Sequence, residues 1–249
     1  MSIDQVVRVA AIADLHCRTS NSNTLAPLLA DAAERADVLL LCGDLTDYGM
    51  VEEARALARE LASVRVPVLA VLGNHDHEGQ PSDVAHVLTD AGVHMLDGES
   101  CEVRGVGFAG TKGFCGGFGE RALAPWGEAM IKQFVHEAVN EALKLEAALA
   151  RLTTPQRIVL LHYAPVPGTV SGEPQEVYPF LGSSRLEEPL NRYPVTAVFH
   201  GHAHHGSLEG RTAGGVPVYN VALPLLRAAR PGEQPLRVIE VPVAPAAAA

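Results

Sequence analysis

Five apolar runs in this chain end on the same kind of residue, and that shared ending restricts the available folds more than any other feature. Val9-Ala-Ala-Ile-Ala runs into Asp14-Leu-His16, Val38-Leu-Leu-Leu-Cys-Gly into Asp44, and Val68-Leu-Ala-Val-Leu-Gly into Asn74-His75-Asp76. Ile158-Val-Leu-Leu runs into His162, and Val198-Phe into His200-Gly-His202-Ala-His204. A run that is apolar at successive positions suits a parallel strand buried on both faces by covering layers. Ligands of such α/β sheets bind at the carboxyl ends of the strands, so five ends carrying Asp, Asn and His can converge on one site.

The segments between the runs have the period of helices. Residues 22–36 place Leu25, Leu28, Leu29, Ala32 and Ala33 on one stripe, and the Glu/Ala/Arg-rich stretch 51–63 reads as a second helix. With strands at 6–13, 38–42 and 68–72, successive acidic tips lie about thirty residues apart, the size of a βαβ unit. A helix at 81–91 and a strand or hairpin at 100–109 follow. Then comes a Gly- and aromatic-rich loop at 110–127, and a long helix at 128–152 whose stripe is Ile131, Phe134, Val135, Ala138, Ala142, Leu145 and Leu149. That stripe is expected to be core. A strand at 157–161, a Pro/Gly-rich loop at 164–182 long enough to be functional, a short helix at 184–192 and a strand at 195–199 complete the centre. Two late strands, 216–221 and 236–241, are expected to close a second sheet. Residues 1–243 are expected to form one domain, with an Ala/Pro tail at 244–249.

Charge and cysteine usage narrow the function classes. A net charge of -10 offers no basic stripe for phosphate contacts, so a general nucleic-acid partner is not expected. Cys17, Cys42, Cys101 and Cys115 form no CxxC pair and are expected to be thiols of a reducing compartment. Met1-Ser-Ile-Asp-Gln lacks a basic and then apolar leader, and no run reaches the eighteen or so residues of a membrane span; a soluble, cytoplasmic protein is expected. Gly105-Val-Gly107-Phe-Ala-Gly110 matches GxGxxG, but Thr111-Lys-Gly-Phe-Cys-Gly-Gly is a poor helix start, so a Gly-rich hairpin is the better reading than a dinucleotide site.

The five tips agree chemically. Asp14, His16, Asp44, Asn74, His162, His202 and His204 combine hard oxygens with imidazoles, a mixture suited to Zn, Mn or Fe. Seven donors are too many for one structural ion and about right for two ions sharing a carboxylate at roughly 3.5–4 Å. Any one of them alone is more simply a capped helix start or a hydrogen-bonded histidine.

Asp14-x-His16, Gly43-Asp44-x-x-Asp47, Gly73-Asn74-His75-Asp76, His162 and Gly201-His202-x-His204 resemble, in order, the five blocks of the calcineurin-like metallophosphoesterases. The resemblance implies an α/β/β/α sandwich of two mixed sheets flanked by helices, and a centre of two divalent or trivalent metal ions. In it Asp14, His16, Asp44 and His204 would hold one ion, Asp44, Asn74, His162 and His202 the other, with Asp44 bridging. It implies a hydrolase that attacks a small-molecule phosphoester with a bridging hydroxide, with His75 as general acid oriented by Asp47 or, in competition, by Asp76. An N-cap is the plainer role for Asp47. The family's protein phosphatases carry Arg and Glu where this chain has Tyr48 and Asp76, which favours a phosphodiesterase, with a phosphomonoesterase as the alternative, while the intact ligands and His75 argue against a non-catalytic scaffold. Arg18 is placed to meet a phosphate oxygen. His77, His200 and His205 flank the blocks as possible supports, while His86, His94 and His136 read as surface or packing residues.

Overall fold

The computed structural model describes residues 5–21 and 24–243; Ser22 and Asn23 of the first expected helix, and the tail at 244–249, lie outside the described residues. In chain order the elements are β1 (Gln5–Ile12), α1 (Ala26–Arg35), β2 (Val38–Cys42), α2 (Val51–Leu61), β3 (Val68–Val71), α3 (Pro81–Asp90), β4 (His94–Met95), β5 (Glu99–Val103) and β6 (Val106–Gly110). After them come α4 (Ala129–Arg151), β7 (Arg157–Leu160), α5 (Tyr178–Leu181), α6 (Glu187–Arg192), β8 (Ala197–His200), β9 (Glu209–Arg211), β10 (Pro217–Asn220), α7 (Leu223–Ala229) and β11 (Arg237–Val243).

Two mixed sheets result. The first has the order β11-β1-β2-β3-β4 and the second β5-β6-β7-β8-β10-β9, with antiparallel pairing only at β11, β5 and β9. The apolar runs are explained by the period of two along a strand. In β1 and β2, Val9, Ala11, Val38 and Leu40 point between the sheets, where they meet Phe108, Ile158, Leu160 and Phe199 of the second sheet. Their neighbours Ala10, Ile12, Leu39 and Leu41 point the other way, onto Leu29, Ala32, Leu57 and Leu88 of α1 to α3. On the far side Val159, Leu161 and Val198 meet Leu145, Leu149 and Leu190 of α4 and α6. The central strands β2, β3 and β8 are therefore dry on both faces, and the layers run helix, sheet, sheet, helix, the sandwich that the resemblance implied.

One strand went elsewhere. β11 does not close the second sheet but lies antiparallel on the free edge of β1, pairing Val7 with Val241. α7 carries the chain back across, and β11 covers an edge that would otherwise leave a row of unpaired backbone groups. β4 and β9, two and three residues long, are too short to leave a readable period. The stretch 164–182, expected as open loop, contains two 3-10 turns and α5, and the expected helix at 184–192 is helical only from Glu187. The GxGxxG segment is a hairpin: Arg104 and Gly105, at φ 53 and 82, form the two-residue turn between β5 and β6. The four cysteines are free thiols. Among the described residues no helix is long and apolar enough to cross a membrane.

Buried carboxylates fasten elements together. Glu60 of α2 accepts from the backbone N–H of Leu25 and Ala26 at the start of α1, meeting donors that a helix start leaves open. Glu141 faces inward from α4 and accepts from the Thr111 hydroxyl and the Gly113 N–H, which pins the loop after β6. Phe108, fully buried between the sheets, is with Phe199 one of the two fully buried phenylalanines of that layer. Phe108→Ala is expected to lower unfolding stability by about 3–5 kcal/mol, read as a reduced urea midpoint.

Candidate metal centre

The chain turns sharply where the strands end. Four of the five non-glycine residues with positive φ among the described residues are Asp14, His16, Asp44 and His202, at 57, 43, 48 and 70°. Such conformations cost up to about 1–3 kcal/mol each and persist where surrounding bonds impose them. Here they do: Asp14 N–H donates to the Gly43 carbonyl and His16 N–H to the Asp44 carbonyl, both at 3.0 Å, tying the tip of β1 to that of β2. Asp76, fully buried, accepts from the N–H groups of Leu45, Thr46 and Gly73 and from the Thr46 hydroxyl, tying the tip of β2 to that of β3. Two glycines permit the approach. A Cβ on Gly73 would lie 2.1 Å from Asp44 Oδ1, and one on Gly201 would lie 2.3 Å from Asp14 Oδ2.

The expected donors meet at this edge in overlapping groups. Asp14, His16 and His204 form one, Asp44, His162 and His202 a second, and His16, Asp44 and His75 a third, each with its potential ligand atoms within 4.8 Å of one another. Asn74 joins the second group, its Oδ1 2.9 Å from His162 Nε2. Asp14 and Asp44 are 2% and 1% exposed. Asp14 accepts from His202 N–H at 3.0 Å and sits 3.0 Å from His204 Nε2; Asp44 accepts from His75 N–H at 2.9 Å. Burial opposes the Asp14 charge, yet the hydrogen bond to His204 and the surrounding imidazoles hold its carboxyl below the ordinary value.

The rings are held in forms that can ligate. His162 Nδ1–H donates to the Cys42 carbonyl, so in the neutral ring Nε2 presents a lone pair toward Asn74 Oδ1 and Asp44 Oδ1, the latter 3.4 Å away. Acceptor then faces acceptor, an arrangement that a cation between them satisfies. His202 Nε2–H donates to the Phe180 carbonyl at 3.2 Å, leaving Nδ1 for the cluster. Burial, helped by the nearby His162, pushes His202 down to about 4, so the ring is neutral. Burial likewise lowers His16, and both of its ring nitrogens are buried without a hydrogen-bond partner. Unpaired buried polar atoms cost about 1–3 kcal/mol each, and at His16 they stand beside Asp14 and Asp44. The donor set, its charge and its orphaned nitrogens fit metal ions.

His75 and Asp47 are also here, but their pairing differs from the expected one. His75 Nδ1–H donates to the Asp47 backbone carbonyl at 2.8 Å, whereas the Asp47 carboxylate takes Arg18 Nε at 2.7 Å and lies 3.3 Å from His16 Nδ1. The carboxylate therefore holds Arg18 and only stands near His16, and the main chain orients His75. Asp76 is no competitor, because backbone amides and Thr46 occupy its oxygens. Nor is Asp47 an N-cap: α2 is capped at Met50, and Glu53 reaches back to accept from Met50 and Tyr48 N–H. Burial disfavours the charged His75 ring, but the Asp47 carbonyl and the Asp44 and Asp47 charges outweigh it and raise its pKa.

The remaining histidines lie apart from the cluster. His200 is buried between the Gly201 carbonyl and the Thr169 hydroxyl, and burial pushes it down to about 4. His77 lines a separate cavity with Leu72 and Met95, His205 is exposed, and His86, His94 and His136 lie on the surface. Glu141 and the loop it pins act on the centre indirectly, since the Lys112 carbonyl accepts the N–H of His162 and Tyr163. A glutamate set among Ala138, Leu145 and Ala148 on an apolar stripe was the sequence signal for it.

Residues 7–206 match the calcineurin-like phosphoesterase family, and the chain belongs to that family. It is 25% identical over 178 residues to a probable cyclic nucleotide phosphodiesterase of Vesicomyosocius okutanii subsp. Calyptogena okutanii (strain HA), a match covering 69% of this chain and 64% of that protein. This chain thus spans under two thirds of that relative's length. Among solved structures it is similar to the phosphopantetheinyl hydrolase PptH of Mycobacterium tuberculosis, with TM-score 0.63, 18% identity and coverage of 93% of this chain and 95% of that one. It is also similar to GAP50, the anchor in the inner membrane complex of Plasmodium, with TM-score 0.53, 16% identity and coverage of 88% and 72%. These two likenesses show the fold.

Gly73→Ala forces Asp44 aside without replacing any side chain of the cluster. It is expected to weaken Mn²⁺ uptake by roughly 10–100-fold in competition with a chromophoric chelator, while the far-ultraviolet circular dichroism stays that of the unaltered chain.

Proposed function

We propose that the chain is a metal-dependent phosphodiesterase acting on a small organic phosphodiester. The observation that carries this reading is the meeting of Asp14, His16 and His204 with Asp44, His162 and His202 at one edge of the sandwich, next to a histidine that belongs to neither set of three. Asp14, His16, Asp44 and His204 would hold one ion and Asp44, Asn74, His162 and His202 the other, Asp44 being shared. When bound, such a pair supplies activation of water and polarisation of the phosphoryl oxygens. The identity of the ions follows availability as well as affinity, with Mn, Fe and Zn all compatible with these ligands.

The protein's own groups do the rest. His75 donates Nδ1–H to the Asp47 carbonyl, which leaves Nε2 to carry the proton delivered to the leaving alkoxide. The raised pKa keeps that proton in place toward higher pH. Asp47 holds Arg18 at the rim, where the guanidinium meets a non-bridging phosphate oxygen. Tyr48 and Asp76 stand where the family's protein phosphatases carry Arg and Glu, and the relative described as a probable cyclic nucleotide phosphodiesterase supports the diester reading.

Hydrolysis of bis-p-nitrophenyl phosphate with added Mn²⁺ tests this. The unaltered protein is expected to turn it over faster than p-nitrophenyl phosphate, Asp44→Asn to lose activity together with metal, and His75→Ala to lose about 10²–10⁴-fold in kcat with metal uptake retained. A faster rate on the monoester would reassign the protein as a phosphomonoesterase. Absence of turnover on either ester with Mn, Fe or Zn would leave a metal-binding scaffold.

A further inference from the structure

A cavity of about 320 Å³ opens beside Asp14 and His16, and two arginines, Arg18 and Arg227, line it. Its far wall is α7. Leu223, Pro224 and Arg227 are spaced i, i+1 and i+4, which places them on one helical face, and all three line the cavity. The position of that face is fixed by the site itself: Leu223 N–H donates to the carbonyl of Ala13, the residue before Asp14, at 3.0 Å. Arg227 then stands about 6 Å further along the helix, one turn up, with its side chain exposed. Arg18 also lines the cavity, its Nε held by Asp47.

The chain carries -10 overall, yet among the described residues the only carboxylate lining this cavity is Asp14, itself one of the expected metal ligands, against two guanidiniums. A phosphodiester has a single negative charge, and the metal centre with Arg18 suffices for it. Arg227 serves no residue of that centre. A guanidinium presents a planar fork matched to phosphate or carboxylate, and the apolar surface of Leu223 and Pro224 lies between it and the cluster.

We propose that this cavity is a subsite for a second anionic group of the substrate, a phosphate or carboxylate separated from the scissile diester by a ring-sized spacer, with Arg227 as its specificity-determining residue. The inference rests on the phosphodiesterase reading and narrows its substrate class to diesters that carry a further anion.

Two chromogenic diesters test it: thymidine 5′-(p-nitrophenyl phosphate) and the same compound bearing a 3′-phosphate, both assayed with Mn²⁺. The unaltered protein is expected to show kcat/KM about tenfold higher for the 3′-phosphorylated diester. Arg227→Ala should bring that ratio close to one, and Arg227→Lys should retain part of it. A second reading is calorimetric: thymidine 3′,5′-bisphosphate should bind the Mn²⁺-loaded protein about tenfold more tightly than thymidine 5′-monophosphate, a difference that Arg227→Ala removes. A ratio near one in the unaltered protein, or one that survives Arg227→Ala, overturns the subsite while turnover of bis-p-nitrophenyl phosphate keeps the phosphodiesterase standing. Failure to hydrolyse any diester overturns that parent reading instead, and the calorimetric difference then decides the subsite.

Discussion

Four aspartates, Asp14, Asp44, Asp47 and Asp76, are buried at one end of this sandwich, and the arrangement around them answers the cost of placing so many carboxylates out of water. An unpaired buried carboxylate is prohibitively expensive. Each here has a defined set of partners: backbone amides and Thr46 for Asp76, Arg18 for Asp47, the His75 amide for Asp44, and the His202 amide with His204 for Asp14. Most of those partners come from a different strand tip than the aspartate they serve. The carboxylates can leave water only if the tips are assembled, so folding and the burial of these groups are one event. Asp14 and Asp44 keep oxygens directed at unpaired imidazole nitrogens, and it is this incomplete compensation that makes the end of the sheet attractive to cations.

The strain at the tips follows from the same geometry. Asp14, His16, Asp44 and His202 adopt left-handed backbone because a strand that simply continued would carry its polar residue past the cluster. Asp and His tolerate this region better than β-branched residues do. The stability that offsets it lies elsewhere, in the dry layer between the sheets and in the helix layers outside them, where the central strands bury apolar side chains on both faces. A rigid interior thus holds an energetically unfavourable edge.

Much of this was legible in the chain before any fold was known, and for identifiable reasons. The strand runs are apolar on both faces, and their tips share one chemistry, so the gathering of these Asp, Asn and His residues at one edge could be anticipated from residue types alone. What escaped depended on partners that a sequence does not encode locally. The edge taken by β11 is a long-range choice, since its own pattern suits either sheet. The orientation of His75 is set by a main-chain carbonyl, which every residue has, and so no side-chain pattern could point to it. Glu141 was readable as an anomaly on an apolar stripe, but its purpose became apparent only once Thr111 and Gly113 were found against it.

The cluster also stitches the two sheets to one another. His162, from the tip of β7, donates to the Cys42 carbonyl at the end of β2, and the backbone after β8 donates to Asp14 at the end of β1. At the opposite end the sheets are joined more loosely, by Arg104 of the β5–β6 turn standing 3.9 Å from Asp37 before β2. A slight sliding of one sheet over the other, such as an enlarged interior residue would cause, is therefore converted at the seam into a change in the spacing between donors from different layers. In this fold the interior is a calibration of the chemistry, and drift in the one is paid out as mistuning of the other.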